Sequence, residues 1–98
     1  MSNALMNIQI IPKVHDLEDL YPMVEAAIAL VESSGLVYEV GALGTTVEGQ
    51  FDVLVDLVKA MNNAVIDRGA VSVISQVRFY QGRVDISMDD LTSKFRPS

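Results

Sequence analysis

The stretch VGALGTTVEG, residues 40–49, decides the fold because two predicted strands meet in it at a tight turn. Gly44 supplies the backbone freedom that a hairpin turn needs, and the β-branched residues after it favour a returning strand. Gly49 then releases the chain into a helix. Glu48 therefore ends a strand beside a helix start, where its carboxylate is able to accept hydrogen bonds from a ligand or from the N–H groups of that helix.

Length and composition restrict the class of protein. Ninety-eight residues, half of them hydrophobic, are enough for one domain with one core. A net charge of −6 argues against nucleic acid or an anionic membrane as partner, because both need a basic surface. No stretch approaches the roughly 20 apolar residues of a membrane span, and the N-terminus lacks a signal-peptide pattern, so we expect a cytoplasmic protein.

The first residues resemble those left by expression cloning. Ser2-Asn3-Ala4 precedes Met6, a second plausible start. We therefore assign a single domain to residues 6–98 and leave residues 1–5 out of it.

Hydrophobic periodicity and turn residues predict the elements on both sides of the central stretch. A helix stripe of Tyr21, Val24, Ile28 and Val31 recurs at helical spacing and is expected to be buried. The predicted order is strand one at Met6–Pro12, helix one from near Asp19 to Gly35, strand two at Leu36–Leu43, strand three at Thr45–Glu48, helix two at Phe51–Arg68, strand four at Val71–Gln81, and a short C-terminal helix capped by Ser87 or Asp89 that runs through Phe95 and ends at Pro97.

This β-α-β-β-α-β order predicts an α+β fold of the ferredoxin-like type, a four-stranded antiparallel sheet with two helices on one face and a short C-terminal helix. Right-handed crossovers place strands one and three in the middle of the sheet. The opposite face has no cover in a single chain.

The uncovered face is predicted to be too apolar for solvent alone, so we expect a second sheet, a second subunit or a ligand on it. Strand three contributes either Thr46 with Glu48 or Thr45 with Val47, because register is not readable over so short a strand. The other residues assigned to this face are Gln9, Ile11, Val37, Glu39, Gly41, Leu43, Ile74, Gln76, Arg78 and Tyr80.

The run GTTVEG, residues 44–49, on this plan resembles the Gly-Thr-x-x-Glu-Gly signature of the small bacterial thiamine-binding proteins. The resemblance covers about residues 6–82. It implies a ferredoxin-like fold, assembly by pairing of sheets into dimers and often tetramers, and non-catalytic binding of thiamine or its hydroxymethylpyrimidine part.

The residue types suit that ligand. An aminopyrimidine needs acceptors for its N–H groups and a donor for its ring nitrogen, and a thiazolium cation prefers acidic surroundings. We predict Glu48 as the anchoring carboxylate, in a pocket against the sheet near the hairpin and completed by a neighbouring subunit. The other predicted ligand-binding residues are Thr45 and Thr46 through their hydroxyls, Gly44 through close backbone approach, Gln9 and Gln76 through their amides, and Tyr80 through its ring.

Structural roles compete with these assignments. Glu48 could instead cap helix two, and at least one of the two threonines could serve only the strand. Arg78 is expected to pair with Glu39, across the sheet or across a subunit boundary.

Other classes of function are less well supported. His15 has acidic neighbours, but a single His and no Cys argue against a metal site, and we expect neither a metal nor a cofactor. The acylphosphatase-type enzymes share this plan, yet the loop at residues 12–16 lacks the Gly and Arg that hold phosphate, so we expect no enzyme.

The alternative to thiamine binding is a structural or regulatory dimerisation module that binds another small molecule, such as an amino acid.

Overall fold

The computed structural model describes residues 3–95 and contains one antiparallel sheet of four strands in the order β2-β3-β1-β4. This is the predicted ferredoxin-like plan, with the first and third strands in the middle. The elements are β1 at Asn3–Lys13, α1 at Leu20–Ser33, β2 at Tyr38–Val40, β3 at Thr45–Gln50, α2 at Phe51–Asp67, β4 at Ser72–Tyr80 and α3 at Met88–Thr92, with single 3-10 turns at Leu17–Asp19 and Ser93–Phe95.

β1 begins at Asn3, three residues earlier than predicted. Ala4 pairs with Gly49, and Leu5 pairs with both Glu48 and Tyr80, so these residues belong to the sheet. Ala4 and Leu5 are also buried. The predicted start of strand one at Met6 was therefore wrong, because the apolar side chains of Ala4 and Leu5 extend the strand between its neighbours. Residues 1 and 2 lie outside the described part of the chain.

β2 has only three residues instead of the predicted eight. The chain turns at once through the hairpin loop, residues 41–44, where Gly41 N donates to Gly44 O at 2.9 Å. Gly44 has no positive φ; a Cβ there would lie 2.8 Å from Asn7 Oδ1 and 3.2 Å from Ile8 O. Gly44 is therefore needed for space beside β1 and not, as predicted, for its backbone freedom.

The two long helices pack on one face of the sheet. In α2 the buried residues recur at helical spacing and form one stripe, Leu54, Leu57, Met61 and Val65. In α1 the buried residues are Met23, Ala27 and Val31, whereas Tyr21 is 76% exposed. The predicted stripe was rotated, because Met23 and the small Ala27, not Tyr21, face the core together with Val31. Gly35 and Gly69, at φ 77° and 102°, follow the two helices; Gly35 does so as predicted.

Successive side chains along each strand point alternately to this helix face and to the opposite face, which we call the open face. On β3, Thr45, Val47 and Gly49 are buried on the helix face, so Thr46 and Glu48 lie on the open face. The predicted faces of β4 are correct: Val73 and Val77 pack against the core, and Ser75 Oγ donates to Asn62 Oδ1 of α2. The Phe79 ring lies 5.0 Å from that of Phe51, centroid to centroid.

The C-terminal segment, residues 82–95, returns to the start of β1. Ile86 is buried and its N–H donates to Asn3 O at 3.2 Å, while Asn3 N donates to Asp85 Oδ1 at 2.7 Å. Ser87 caps α3 by accepting from Asp90 N at 3.0 Å. The segment reaches the Leu5 end of the open face, where Leu5 is only 8% exposed. The prediction that a single chain leaves this face without any cover was therefore wrong at this end. The predicted stop at Pro97 lies outside the described residues.

None of the helices within residues 3–95 is long and apolar enough to cross a membrane.

Candidate ligand site

Strand register arranges the open face in rows that run across all four strands. The end row, nearest the C-terminal segment, contains Val37, Glu48, Leu5 and Tyr80. The polar row contains Glu39, Thr46, Asn7 and Arg78. The glycine row, reached by continuing the same register into the hairpin loop, contains Gly41, Gly44, Gln9 and Gln76.

The polar row borders a shallow hollow of about 240 Å³. Asn7 Nδ2 donates to Thr46 Oγ1 at 3.0 Å, which holds both side chains in place. Arg78 and Tyr80 also line this hollow, with Leu5 beside them. The guanidinium makes the hollow unfavourable for a cation. Asn7 was missed in the sequence, although strand alternation places it on the same face as Gln9, two residues later.

A second cavity, of about 200 Å³, lies between the hairpin loop, α1 and β1, and we call it the hairpin cavity. Its walls are apolar except at a few positions. Thr45, which is 5% exposed, is a polar residue of the lining, and Gly44 and Gln9 also line it. The remaining lining residues are Ile8, Ile10, Val24, Ala27, Ile28, Val40, Gly41, Ala42, Leu43 and Met61.

Glu48 has a structural partner that neither sequence interpretation included. Its Oε1 accepts from Met88 N, the first residue of α3, at 2.6 Å. The carboxylate therefore caps α3 and not α2, whose start has no side-chain cap. Glu48 also lines an open groove of about 480 Å³ at the sheet edge, together with Asn3 and Gln50.

The predicted site residues fall into two groups. Glu48, Thr46 and Tyr80 lie on the open face, where Gln9 and Gln76 are direct cross-strand partners. Gly44 lies beside them in the glycine row and also lines the hairpin cavity. Thr45 points to the other face of the sheet, so the two threonines cannot contact one ligand ring together. Their roles in binding stay predictions.

The predicted pair of Arg78 with Glu39 does not form within one chain. The two residues lie at opposite ends of the polar row, with β3 and β1 between them. Three strand spacings amount to about 14 Å, too far for an ion pair.

Within residues 3–95, no three His, Asp or Glu side chains come together in a way that could hold a metal ion.

Comparisons with known proteins identify the family. A UPF0045 protein of Clostridium perfringens is 36% identical over 96 residues, which is 98% of this chain and 100% of the relative. The structure of a domain of unknown function, DUF77, from Bacillus cereus is 36% identical with a TM-score of 0.90, covering 97% of this chain and 91% of that one. A Thermotoga maritima protein proposed to act in thiamine biosynthesis or salvage is 30% identical with a TM-score of 0.86, covering 96% and 99%. The family model described as thiamine-binding protein matches residues 6–96, and the chain therefore belongs to that family.

Proposed function

We propose that this protein binds thiamine or a related aminopyrimidine without catalysing a reaction, and that the pyrimidine ring enters the hairpin cavity. The family and the Thermotoga maritima relative support this class of ligand. The observation that carries the location is the buried residue Thr45, which belongs to the Gly-Thr pair of the signature and lines a cavity whose other lining residues are mostly apolar.

The chemistry of the cavity suits a flat, weakly polar ring. The Thr45 hydroxyl is both donor and acceptor, so it matches either the amino group or a ring nitrogen. Ala42 and Leu43 of the hairpin loop also line the cavity, and we expect their peptide groups to offer further donors and acceptors at the wall. The apolar side chains of α1 and β1 cover the ring faces.

The size of the cavity favours one ring. About 200 Å³ is below the roughly 300–1,000 Å³ of pockets that enclose drug-sized ligands. The pyrimidine is therefore enclosed and the thiazolium of thiamine extends outside, where the net charge of −6 favours a cation. Hydroxymethylpyrimidine, which lacks the thiazolium, binds in the same way.

Glu48, with Thr46, Gln9, Gln76 and Tyr80, is the alternative location on the open face. Two features weigh against it: Glu48 Oε1 is already occupied by Met88 N, and Arg78 opposes a cation nearby. A ligand there would have to use the other carboxylate oxygen of Glu48.

Calorimetric titration with thiamine and with hydroxymethylpyrimidine separates the two locations. Thr45→Val removes the hydroxyl at nearly constant volume and is expected to weaken binding about 3- to 10-fold, as for one neutral hydrogen bond. Thr46→Val is the matched control, the same change on the other face of β3. It should leave affinity unchanged, as should Glu48→Gln.

Two other results would overturn parts of this proposal. Loss of affinity in Glu48→Gln but not in Thr45→Val would move the ligand to the open face. A wild-type protein that binds neither compound would remove the function and favour a regulatory module for another small molecule, such as an amino acid.

We also propose that the chain self-associates through the open face. Ile74 is 60% exposed there and Tyr80 54%, and Ile11 and Val37 are exposed on the same side. An apolar surface of this kind is typical of an interface between subunits.

A further inference from the structure

β1 extends beyond the strand that pairs with it on one side. β3 pairs with β1 only as far as Ile8, which lies opposite Thr45, whereas β4 pairs with β1 as far as Lys13. The hairpin loop, residues 41–44, lies where β3 would otherwise continue. Residues 9–13 of β1 therefore have no neighbouring strand on the β3 side, and we call this opening the sheet gap.

The direction of the peptide groups in β1 follows from the pairing of β3. Glu48 N donates to Val37 O at 2.9 Å, so the N–H and C=O of Glu48 face the β2 side. In an antiparallel ladder successive residues bond to opposite neighbours. The N–H and C=O of Thr45, three residues earlier, therefore face β1 and its partner Ile8. By the same alternation, the N–H and C=O of Ile10 face the sheet gap.

The N–H and C=O of Ile10 have no partner in the hairpin loop. Within residues 3–95, no backbone hydrogen bond joins Ile10 to residues 41–44. The neighbour of Ile10 on β4 is Ser75, and by alternation this pair is not hydrogen-bonded. Ile10 lines the hairpin cavity, and residues 41–44 line it on the other side of the sheet gap. The backbone therefore offers one donor and one acceptor at the wall of the cavity.

Pro12 limits what else could occupy the sheet gap. It is the next residue of β1 whose backbone faces the gap, and it has no N–H. An added peptide strand would lose a ladder hydrogen bond at this position, and proline at a strand edge disfavours such pairing. A small group with one donor and one acceptor therefore matches the sheet gap better than a peptide does.

We infer that Ile10 binds the amino group and the adjacent ring nitrogen of the aminopyrimidine through its backbone, so that the ligand completes the ladder at the sheet gap. The inference rests on the proposed function and adds the basis of its specificity. The amino group donates to Ile10 O, and the ring nitrogen accepts from Ile10 N. Thr45 is then available to the second ring nitrogen.

This pair of hydrogen bonds distinguishes amino- from oxopyrimidines. An oxopyrimidine has a carbonyl in place of the amino group and a proton on the adjacent ring nitrogen. In the same pose it places an acceptor against Ile10 O and a donor against Ile10 N–H. A site that leaves its own polar groups unpaired rejects a ligand strongly, so the hairpin cavity selects the amino compound.

Amide hydrogen exchange, followed residue by residue by NMR, tests the inference on the wild-type chain. In the free protein the Ile10 amide should exchange at least about tenfold faster than that of Ile8, which is paired with β3. Saturating thiamine should slow exchange at Ile10 about tenfold or more. Tyr38 is the matched control, because its amide faces away from β3 at the outer edge of the sheet and should stay fast.

Calorimetry tests the specificity with the oxo analogue of thiamine, in which oxygen replaces the amino group. The analogue should bind about 30-fold or more weakly than thiamine, because both backbone groups of Ile10 are mismatched. Ile10→Pro removes the N–H and should weaken thiamine binding about 3- to 10-fold. Ile10→Val keeps the N–H and should bind as wild type does. If Ile10→Pro does not fold, the exchange measurement on the wild-type chain still decides.

The negative outcomes are distinct. Thiamine that binds without slowing exchange at Ile10, or an oxo analogue that binds as tightly as thiamine, overturns the inference and leaves thiamine binding in place. An Ile10 amide that is already protected in the free protein also overturns it, because the sheet gap is then closed. A wild-type chain that binds no thiamine overturns both the inference and the proposed function.

Discussion

The two faces of the sheet differ most clearly at adjacent residues of one strand. Thr45 is buried against the helices and lines the hairpin cavity, whereas Thr46 is half-buried on the open face and accepts a hydrogen bond from Asn7. The two side chains have the same chemistry and consecutive positions. What distinguishes them is the face, because burial makes one hydroxyl a potential ligand group and pairing makes the other part of a polar row.

If the two faces differ in this way, the substitution that destabilises the protein most should lie in the core on the helix face. Leu54 is fully buried, and Leu54→Ala should cost about 2–5 kcal/mol through lost burial and a cavity. Ile74→Ala on the open face, measured by denaturant unfolding at low protein concentration, should cost less than about 0.5 kcal/mol. Similar losses at both positions would mean that the open face is buried within the single chain.

A smaller effect is expected where the hairpin loop touches β1. Gly44→Ala places a Cβ against Asn7 Oδ1 and Ile8 O, so it should cost about 1–2 kcal/mol through crowding and loss of the Asn7 bond to Thr46. Part of that penalty should disappear in an Asn7→Ala background. A full penalty in both backgrounds would assign the effect to the backbone and not to Asn7.

The smallest of these effects concerns the C-terminal segment. Glu48→Ala removes the acceptor of Met88 N and should cost about 1 kcal/mol, with faster hydrogen exchange at Met88 and its neighbours. Glu39→Ala is the matched control on the same face and should change stability by less than about 0.5 kcal/mol at low protein concentration. Unchanged exchange at Met88 in Glu48→Ala would show that the carboxylate is not what holds α3.

Local patterns were sufficient to predict the order of elements. Alternation in β4 assigned its two faces, and Gly35 was identified as the residue that ends the first helix. These features depend on residues close in sequence, for which periodicity and turn chemistry are direct signals.

The α1 stripe was misplaced for a physical reason. Apolar residues occur nearly all round this helix, so its periodicity does not select one stripe. Packing selected the stripe with the small Ala27 at its centre instead of the one with Tyr21.

Contacts distant in sequence accounted for most of what was missed at the candidate site. The hydrogen bond between Glu48 and Met88 joins residues 40 positions apart, and no hydrophobic periodicity in the sequence predicts it. The separation of Thr45 from Thr46 followed once pairing with β1 set the register of β3. The sequence therefore located the important stretch but not the face on which each of its side chains acts.

The claim that the ligand enters the hairpin cavity is tested most directly by following backbone amide signals during titration with thiamine. The account predicts that the largest shifts occur in the hairpin loop, at Thr45 and at residues 24–28 of α1, while Asn7 and Arg78 change little. The largest shifts at the polar row, or no shifts at saturating thiamine, would contradict it.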